Sequence, residues 1–384
     1  MSVPLPPSRS LGWLKCRLAA LFLVISAAAA LGCPLCYEAA RQLVTIGQRL
    51  DMADRVVLAV PLADASQFRI VEVVKGKDAV GDIIADPVTS LDAATAPGCD
   101  PCLLVRDPLA PQWTSMGAIR AEYTDWLRQL AATVFVKGDR PRPTWPSNMP
   151  MSSVLSYAGW RQRIVLILPY LENSEPLAAE IAWGELARAP YAVMDVARSR
   201  IDAAAVESWL DDPKLVSRHA GYTLLLGFVG GPPDAARLEQ HIEAAWSSHN
   251  STNLAAMIGA DLELRGPSRV GWVEAMYFAD RSRTMAEIEA ALLALNVHGD
   301  ANRTVPRQRV IQAYQGFIRE RPPMAGFVAQ QLADWDYWDA TTEYAALLKS
   351  NAIKDPASEF AVVNYLQRAA SANAALNRSP RPDR

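Results

Sequence analysis

From residue 152 onward the chain repeats one local pattern, and that recurrence restricts the folds open to it more than any other feature. Helical segments alternate with short breaks built from Pro, Gly or Asp. Residues 152–171 pair with 176–189 across Glu172-Asn-Ser-Glu-Pro176, and 203–210 pair with 214–229 across Asp211-Asp212-Pro213. Gly230-Gly231-Pro232-Pro233 closes the second pair. The pattern continues through 234–247 with 251–265, 268–279 with 284–297, 305–320 with 323–333, and 337–350 with 356–370. Pairs that return about every 30–40 residues are the mark of an α-solenoid. One pair cannot bury its apolar face alone, so successive pairs must stack. After Ala370 the sequence turns polar (SANAALNRSPRPDR), and 371–384 is expected to be a disordered tail.

Ahead of that array the period shortens. Arg55-Val-Val-Leu-Ala-Val60 and Phe68-Arg-Ile-Val-Glu-Val-Val74 are rich in β-branched residues, with a turn between them at Pro61 to Ser66. Lys75-Gly76-Lys77 stops the second strand. Gly81 to Ala85 and Leu103 to Arg106 supply two more, and short strands at this spacing predict a small antiparallel β barrel or curled sheet. A helix is expected within 37–50. Another is expected over 118–132, where Ile119, Tyr123, Trp126, Leu127 and Leu130 share a face. Pro141, Pro143, Pro146 and Pro150 make 137–151 a linker, because a proline-rich run neither continues a helix nor sits in a central strand. The fold class is therefore α+β, with a β-rich domain over 33–136 and an all-α array over 152–370. The 384 residues suit two domains at roughly 150 residues each.

The first 32 residues read as a signal peptide. Arg9, Lys15 and Arg17 form a basic start, Leu18 to Leu31 an apolar run too short to span a bilayer comfortably, and Ala28 and Ala30 a cleavage signal. Export to the periplasm or cell envelope follows. Ala30-Leu31-Gly32-Cys33 also approximates a lipobox, so Cys33 could carry a lipid anchor. That would be the membrane attachment besides the signal peptide. Removing Cys16 with the signal peptide leaves Cys33, Cys36, Cys99 and Cys102, an even set suited to disulfides in an oxidising compartment. With a net charge of −3 and no long Lys or Arg block, the chain does not imply a nucleic-acid partner.

Several stretches carry a resemblance. Cys33-Pro-Leu-Cys36 followed by Ala53-Asp54-Arg55-Val-Val-Leu58 is one, and Leu168-Pro-Tyr-Leu-Glu-Asn173 another. Trp209-Leu-Asp-Asp-Pro213, Gly221-Tyr-Thr-Leu-Leu-Leu-Gly227 and Leu332-Ala-Asp-Trp-Asp-Tyr-Trp338 complete the set. Together they resemble an uncharacterised family of exported bacterial proteins with an N-terminal CPxC motif. The resemblance implies a netrin/OB-like β domain and C-terminal HEAT-like helical repeats, and it brings no catalytic residues. Cys99-Asp-Pro-Cys102 does not belong to that family pattern.

Three accounts of the double C-x-x-C compete. A disulfide framework is the ordinary one, and a bridge between the two pairs would contribute about 4 kcal/mol through loop closure. Four thiolates at Cys33, Cys36, Cys99 and Cys102 could instead hold Zn²⁺ or Cu(I), although the long gap and the oxidising compartment oppose it. Thiol–disulfide exchange at Cys33 and Cys36 is the third account and the one enzyme alternative. Haem attachment is excluded because Tyr37 and Leu103, not His, follow the pairs. No phosphate-binding, dinucleotide-binding or serine-hydrolase motif appears, and His219, His241, His249 and His298 are each expected at the surface or a helix cap. Trp335 and Trp338 are binding-surface candidates, with core packing the ordinary account of tryptophan. The expectation is thus a non-enzymatic interaction or scaffold protein without cofactor, binding a protein or envelope component. A redox or metal-handling protein is the alternative.

Overall fold

The computed structural model of the protein describes residues 44–62, 67–85, 88–90, 100–108, 112–132 and 155–378. Cys33, Cys36, Cys99, the signal peptide and the 137–151 segment lie outside them.

Among the described residues, four of the six strands are those the β-branched runs announce: β1 (Arg55–Pro61), β2 (Phe68–Lys75), β3 (Ile83–Ile84) and β5 (Cys102–Arg106). With β4 at Val88–Ser90 and β6 at Trp113–Ala118, the sheet order is β3-β2-β1-β5-β6-β4, and β1 is antiparallel to both β2 and β5. Two strands were not expected. β6 (Trp113–Ala118) falls partly where helix was expected, and β4 (Val88–Ser90) pairs with it in parallel. Of the expected antiparallel barrel or curled sheet, the curled sheet forms, and full antiparallel pairing is corrected: among the described strands the sheet is open, with β3 and β4 at its edges and one parallel pair. Register shifts within β1 and between Cys102 and Leu104 bend it into a half-barrel.

Alternation along β1 explains why it is buried on both sides. Val56 and Leu58 face the helices, while Val57 and Ala59 point into the curl against Phe68, Ile70, Ile84, Cys102, Leu104 and Trp113. Helix α1 (Ile46–Met52) enters through a capping box in which Thr45 and Gln48 exchange side-chain-to-backbone hydrogen bonds of 3.2 and 2.7 Å. The helix expected over 118–132 is shortened to a single 3-10 turn, Ala121–Tyr123, and α2 (Thr124–Ala132), because β6 occupies its first residue.

The array then runs through α3 (Tyr157–Ile167), α4 (Pro176–Arg188), α5 (Ala203–Asp211), α6 (His219–Val229), α7 (Pro232–Ser247) and α8 (Leu254–Arg265). It continues with α9 (Val270–Val273), α10 (Met285–Ala301), α11 (Arg307–Glu320), α12 (Ala329–Asp334), α13 (Thr341–Lys349) and α14 (Pro356–Arg378). The expected breaks hold for local reasons. Asp202 and Asp212 accept backbone N–H bonds at the starts of α5 and of the 3-10 turn after it. Prolines 176, 232 and 356 occupy first helical positions. A 3-10 stretch at Tyr191–Ser199 fills a gap the periodicity left blank, and a π segment, Glu274–Ala279, prolongs α9. The tail expected after Ala370 is helical as far as Arg378. Its alanines and leucine favour helix, and no proline intervenes before Pro380.

Helix packs on helix in sequence order: α5 on α6, α6 on α8, α7 on α8, α8 on α10, α10 on α11 and α12 on α14. One apolar cluster joins the outer face of the sheet to the helices as far as Ala256 and Val297. A second runs from Ile242 to Tyr365. The hydrophobic boundary therefore falls inside the helical array.

A buried ion cluster fastens α1 to the array. Arg163 on α3 donates to Asp51 at 2.7 Å and to Glu185 at 3.0 Å, and Arg188 reaches both carboxylates at 2.7 Å. Arg163 also donates to the Leu130 carbonyl at 3.0 Å, which ties in α2. Gly47 is glycine because a Cβ there would stand 1.5 Å from a Glu185 carboxylate oxygen. Burial pulls the Asp51 carboxyl upward, but the Arg188 and Arg163 charges and hydrogen bonds outweigh it and hold it below the usual range.

Candidate functional site

The array carries three neighbouring cavities that share walls. The first, about 480 Å³, lies over the Gly230-Gly231 turn, and Arg198 and Glu263 form its boundary with the second. The second, about 120 Å³, shares Ala192, Ala301 and Arg303 with the third, of about 440 Å³. Together they form a trough along the 191–199 stretch and the end of α10.

The end of α10 sets the trough's charged wall. Asn302 adopts a left-handed conformation (φ 50°), its N–H bonding to the His298 carbonyl at 2.8 Å. Its side chain accepts the Arg307 N–H at 2.8 Å, which turns the chain into α11. The carbonyls of Gly299 and Asp300, left open by the helix end, accept from the Arg307 guanidinium at 2.8 and 3.3 Å. Arg303 is thereby held over the 191–199 stretch, donating to the Ala192 carbonyl at 3.1 Å and pairing with Asp195 at 2.6 Å. Asp195 also forms an ion pair with Arg161 at 2.9 Å, without a hydrogen bond to that oxygen.

Beneath the second cavity lies a polar knot. Glu263 accepts from Arg198 at 2.5 Å, from the Thr304 hydroxyl at 2.6 Å and from the Tyr191 hydroxyl at 3.2 Å. His298 Nε2 lies 2.8 Å from the Gly259 carbonyl, which can only accept, so the proton sits on Nε2. Burial pushes the His298 pKa down, and the ring is neutral. The expected surface position of His298 is therefore corrected: it is 1% exposed, because α10 is apolar on nearly every side and packs between α8 and α11.

The trough separates its charges by depth. Side chains of Arg161, Arg198 and Arg303 are 41%, 51% and 46% exposed, while Asp195 and Glu263 are 16% and 4% exposed. Carboxylates form the floor and guanidiniums form the lip. Asp300 is the carboxylate of the third cavity. One oxygen accepts from the Trp335 indole at 2.8 Å and Gln331 at 3.0 Å, and the other is buried without a hydrogen-bond partner. Burial pushes its carboxyl up to about 6, against the pull of Trp335 and Arg307. The linings contain no Ser, Cys or Lys, and the Thr304 hydroxyl is engaged by Glu263. Such an arrangement presents guanidinium donors to an anionic group.

The tryptophan candidates separate. Trp335 lines the third cavity, stacks on Tyr314 at 5.8 Å and lies under Arg307 at 5.5 Å. Trp338 turns the other way, against Tyr365 and Arg368. Trp113, Trp126, Trp160 and Trp183 are core residues. Of the four cysteine candidates, Cys102 is described. It is fully buried at the start of β5, opposite Ala59 and Ala118. Among the described residues no cluster of His, Cys, Asp and Glu is placed to hold a metal ion, and no helix is long and apolar enough to cross a membrane. Sequence reading missed Arg161, Asp195, Arg198, Glu263, Arg303 and Arg307, since nothing in their spacing groups them. Comparison with family models, with curated proteins and with solved structures returns no match.

Proposed function

We propose that this is a non-enzymatic, exported interaction protein of the bacterial cell envelope. It would bind a partner protein or envelope component through the trough of its helical array. In this reading the array is a HEAT-like solenoid, whose stacked helices supply a long concave surface, and the half-barrel is an OB/netrin-like domain. The observation that carries the reading is the trough itself: contiguous cavities with exposed guanidiniums above buried carboxylates. The redox and metal alternative would act through Cys33, Cys36, Cys99 and Cys102, of which Cys102 alone is described and is buried.

A photo-crosslinking residue placed at Ala192, between the second and third cavities, tests the reading in cells that export the protein. The expected result is a discrete protein adduct from position 192 and none from exposed Arg281, which lies outside the trough. Equal crosslinking from both positions, or none from either, would remove it.

A further inference from the structure

We infer that the third cavity binds the carboxylate of an acidic polypeptide segment, held between Arg161, Arg303 and Arg307. This inference rests on the docking reading above and specifies its ligand.

Charge balance is the first ground. Arg161 and Arg303 share one carboxylate, Asp195, and the hydrogen bonds of Arg307 go to main-chain carbonyls. Three guanidiniums thus meet at one cavity with a single direct carboxylate partner among them. Asp300 does not make up the difference at the surface: its oxygens are directed to Trp335 and Gln331 or buried. Depth is the second ground. The side chains of Arg161 and Arg303 are partly open to solvent, and a guanidinium already oriented by protein partners keeps further N–H groups for a ligand. The planar fork then accepts a ligand carboxylate with little further loss of rotamer freedom.

Extent points to a polypeptide. A cavity of about 440 Å³ is of a size that a small ligand fills, and the two adjoining cavities prolong it along the array beyond one such ligand. Tyr157 and Trp335 wall the same cavity, placing aromatic surface beside the cationic groups. An extended chain with an acidic residue seated there satisfies both.

The test is fluorescence anisotropy with the exported full chain and three fluorescein-labelled peptides of equal length: alternating Glu and Ala, Gln and Ala, and Lys and Ala. The Glu peptide should bind at least about tenfold more tightly than the Gln peptide and weaken as salt rises. Arg303→Glu and Arg161→Gln should each weaken it at least about tenfold, with circular dichroism showing an unchanged fold, while Arg281→Glu changes nothing. Equal binding of the Glu and Gln peptides overturns the acidic-ligand inference and leaves the docking reading standing. Glu-peptide binding that Arg303→Glu and Arg161→Gln leave intact also overturns it, placing the acidic site elsewhere. No binding of any peptide overturns it too, and if position 192 also fails to crosslink, the docking reading falls with it.

Discussion

Asp300 gives the protein a pH-dependent weakness that one substitution should remove. Its carboxyl is raised from the usual 3.8 to about 6, with burial the largest cause. Because the folded form holds the proton more tightly than the unfolded form, Asp300 favours folding at low pH. Stability falls as pH rises from the unfolded value through the folded one. Two pH units at about 1.4 kcal/mol each amount to about 3 kcal/mol over the whole window. The last unit, between about pH 5 and 6, accounts for about 1.4 kcal/mol of it. In Asp300→Asn the oxygen that accepts from Trp335 and Gln331 can be kept, and the amide nitrogen takes the place of the unpartnered oxygen. That nitrogen adds a cost that does not change with pH. Urea unfolding of both proteins at pH 5 and pH 8 isolates the proton-linked part, since groups common to both cancel. The stability of the variant relative to wild type should rise by about 1.4 kcal/mol from pH 5 to pH 8. A difference that stays flat, or one that falls, would refute the reasoning.

Other perturbations probe the joints of the fold. Asp51→Ala leaves two buried guanidiniums with Glu185 as their one remaining carboxylate and should cost about 3–5 kcal/mol in denaturant unfolding; a loss under about 1 kcal/mol would contradict the ion cluster. Two glycine-to-alanine changes should have opposite signs. Gly47→Ala drives a Cβ into Glu185 and should cost at least about 2 kcal/mol, whereas Gly316→Ala in α11 meets nothing within 4 Å and should gain about 0.5–1 kcal/mol. Alkylation of the native protein, read by intact mass and peptide mapping, should leave Cys102 unmodified until denaturant and reductant are added together, because no part of it reaches solvent. Rapid native labelling at Cys102 would show that the curl opens.

What could be read in advance was whatever is encoded by neighbours in sequence. Val56 to Val60 alternates into both faces of a sheet, and Asp-Asp-Pro or Gly-Gly-Pro-Pro ends one helix and starts the next through backbone chemistry within a few residues. β4 carries no such signal: its three residues are strand because they pair in parallel with Trp113 to Ser115. β6 contains Thr, Ser and Gly and lacks an apolar run, so its pairing with β5 decides it. The trough was invisible for the same reason. Arg161, Asp195, Arg303 and Trp335 come from four separate segments that stacking brings together. His298 has no local partner, and its bond to the Gly259 carbonyl crosses from α10 to α8.

The shared core bears on how the chain can be cut. Val56 and Leu58 of β1 lie in the same apolar cluster as Ile164 and Leu186 of the helices, and Arg163 locks Asp51 from the far side of the 137–151 segment. A protease that nicked within 137–151 would sever the polypeptide without separating its halves, because neither could leave without exposing that cluster and stranding the buried charges. The halves expressed as two polypeptides should fold mainly on meeting. Their reassembly could then be followed much as that of a split reporter is.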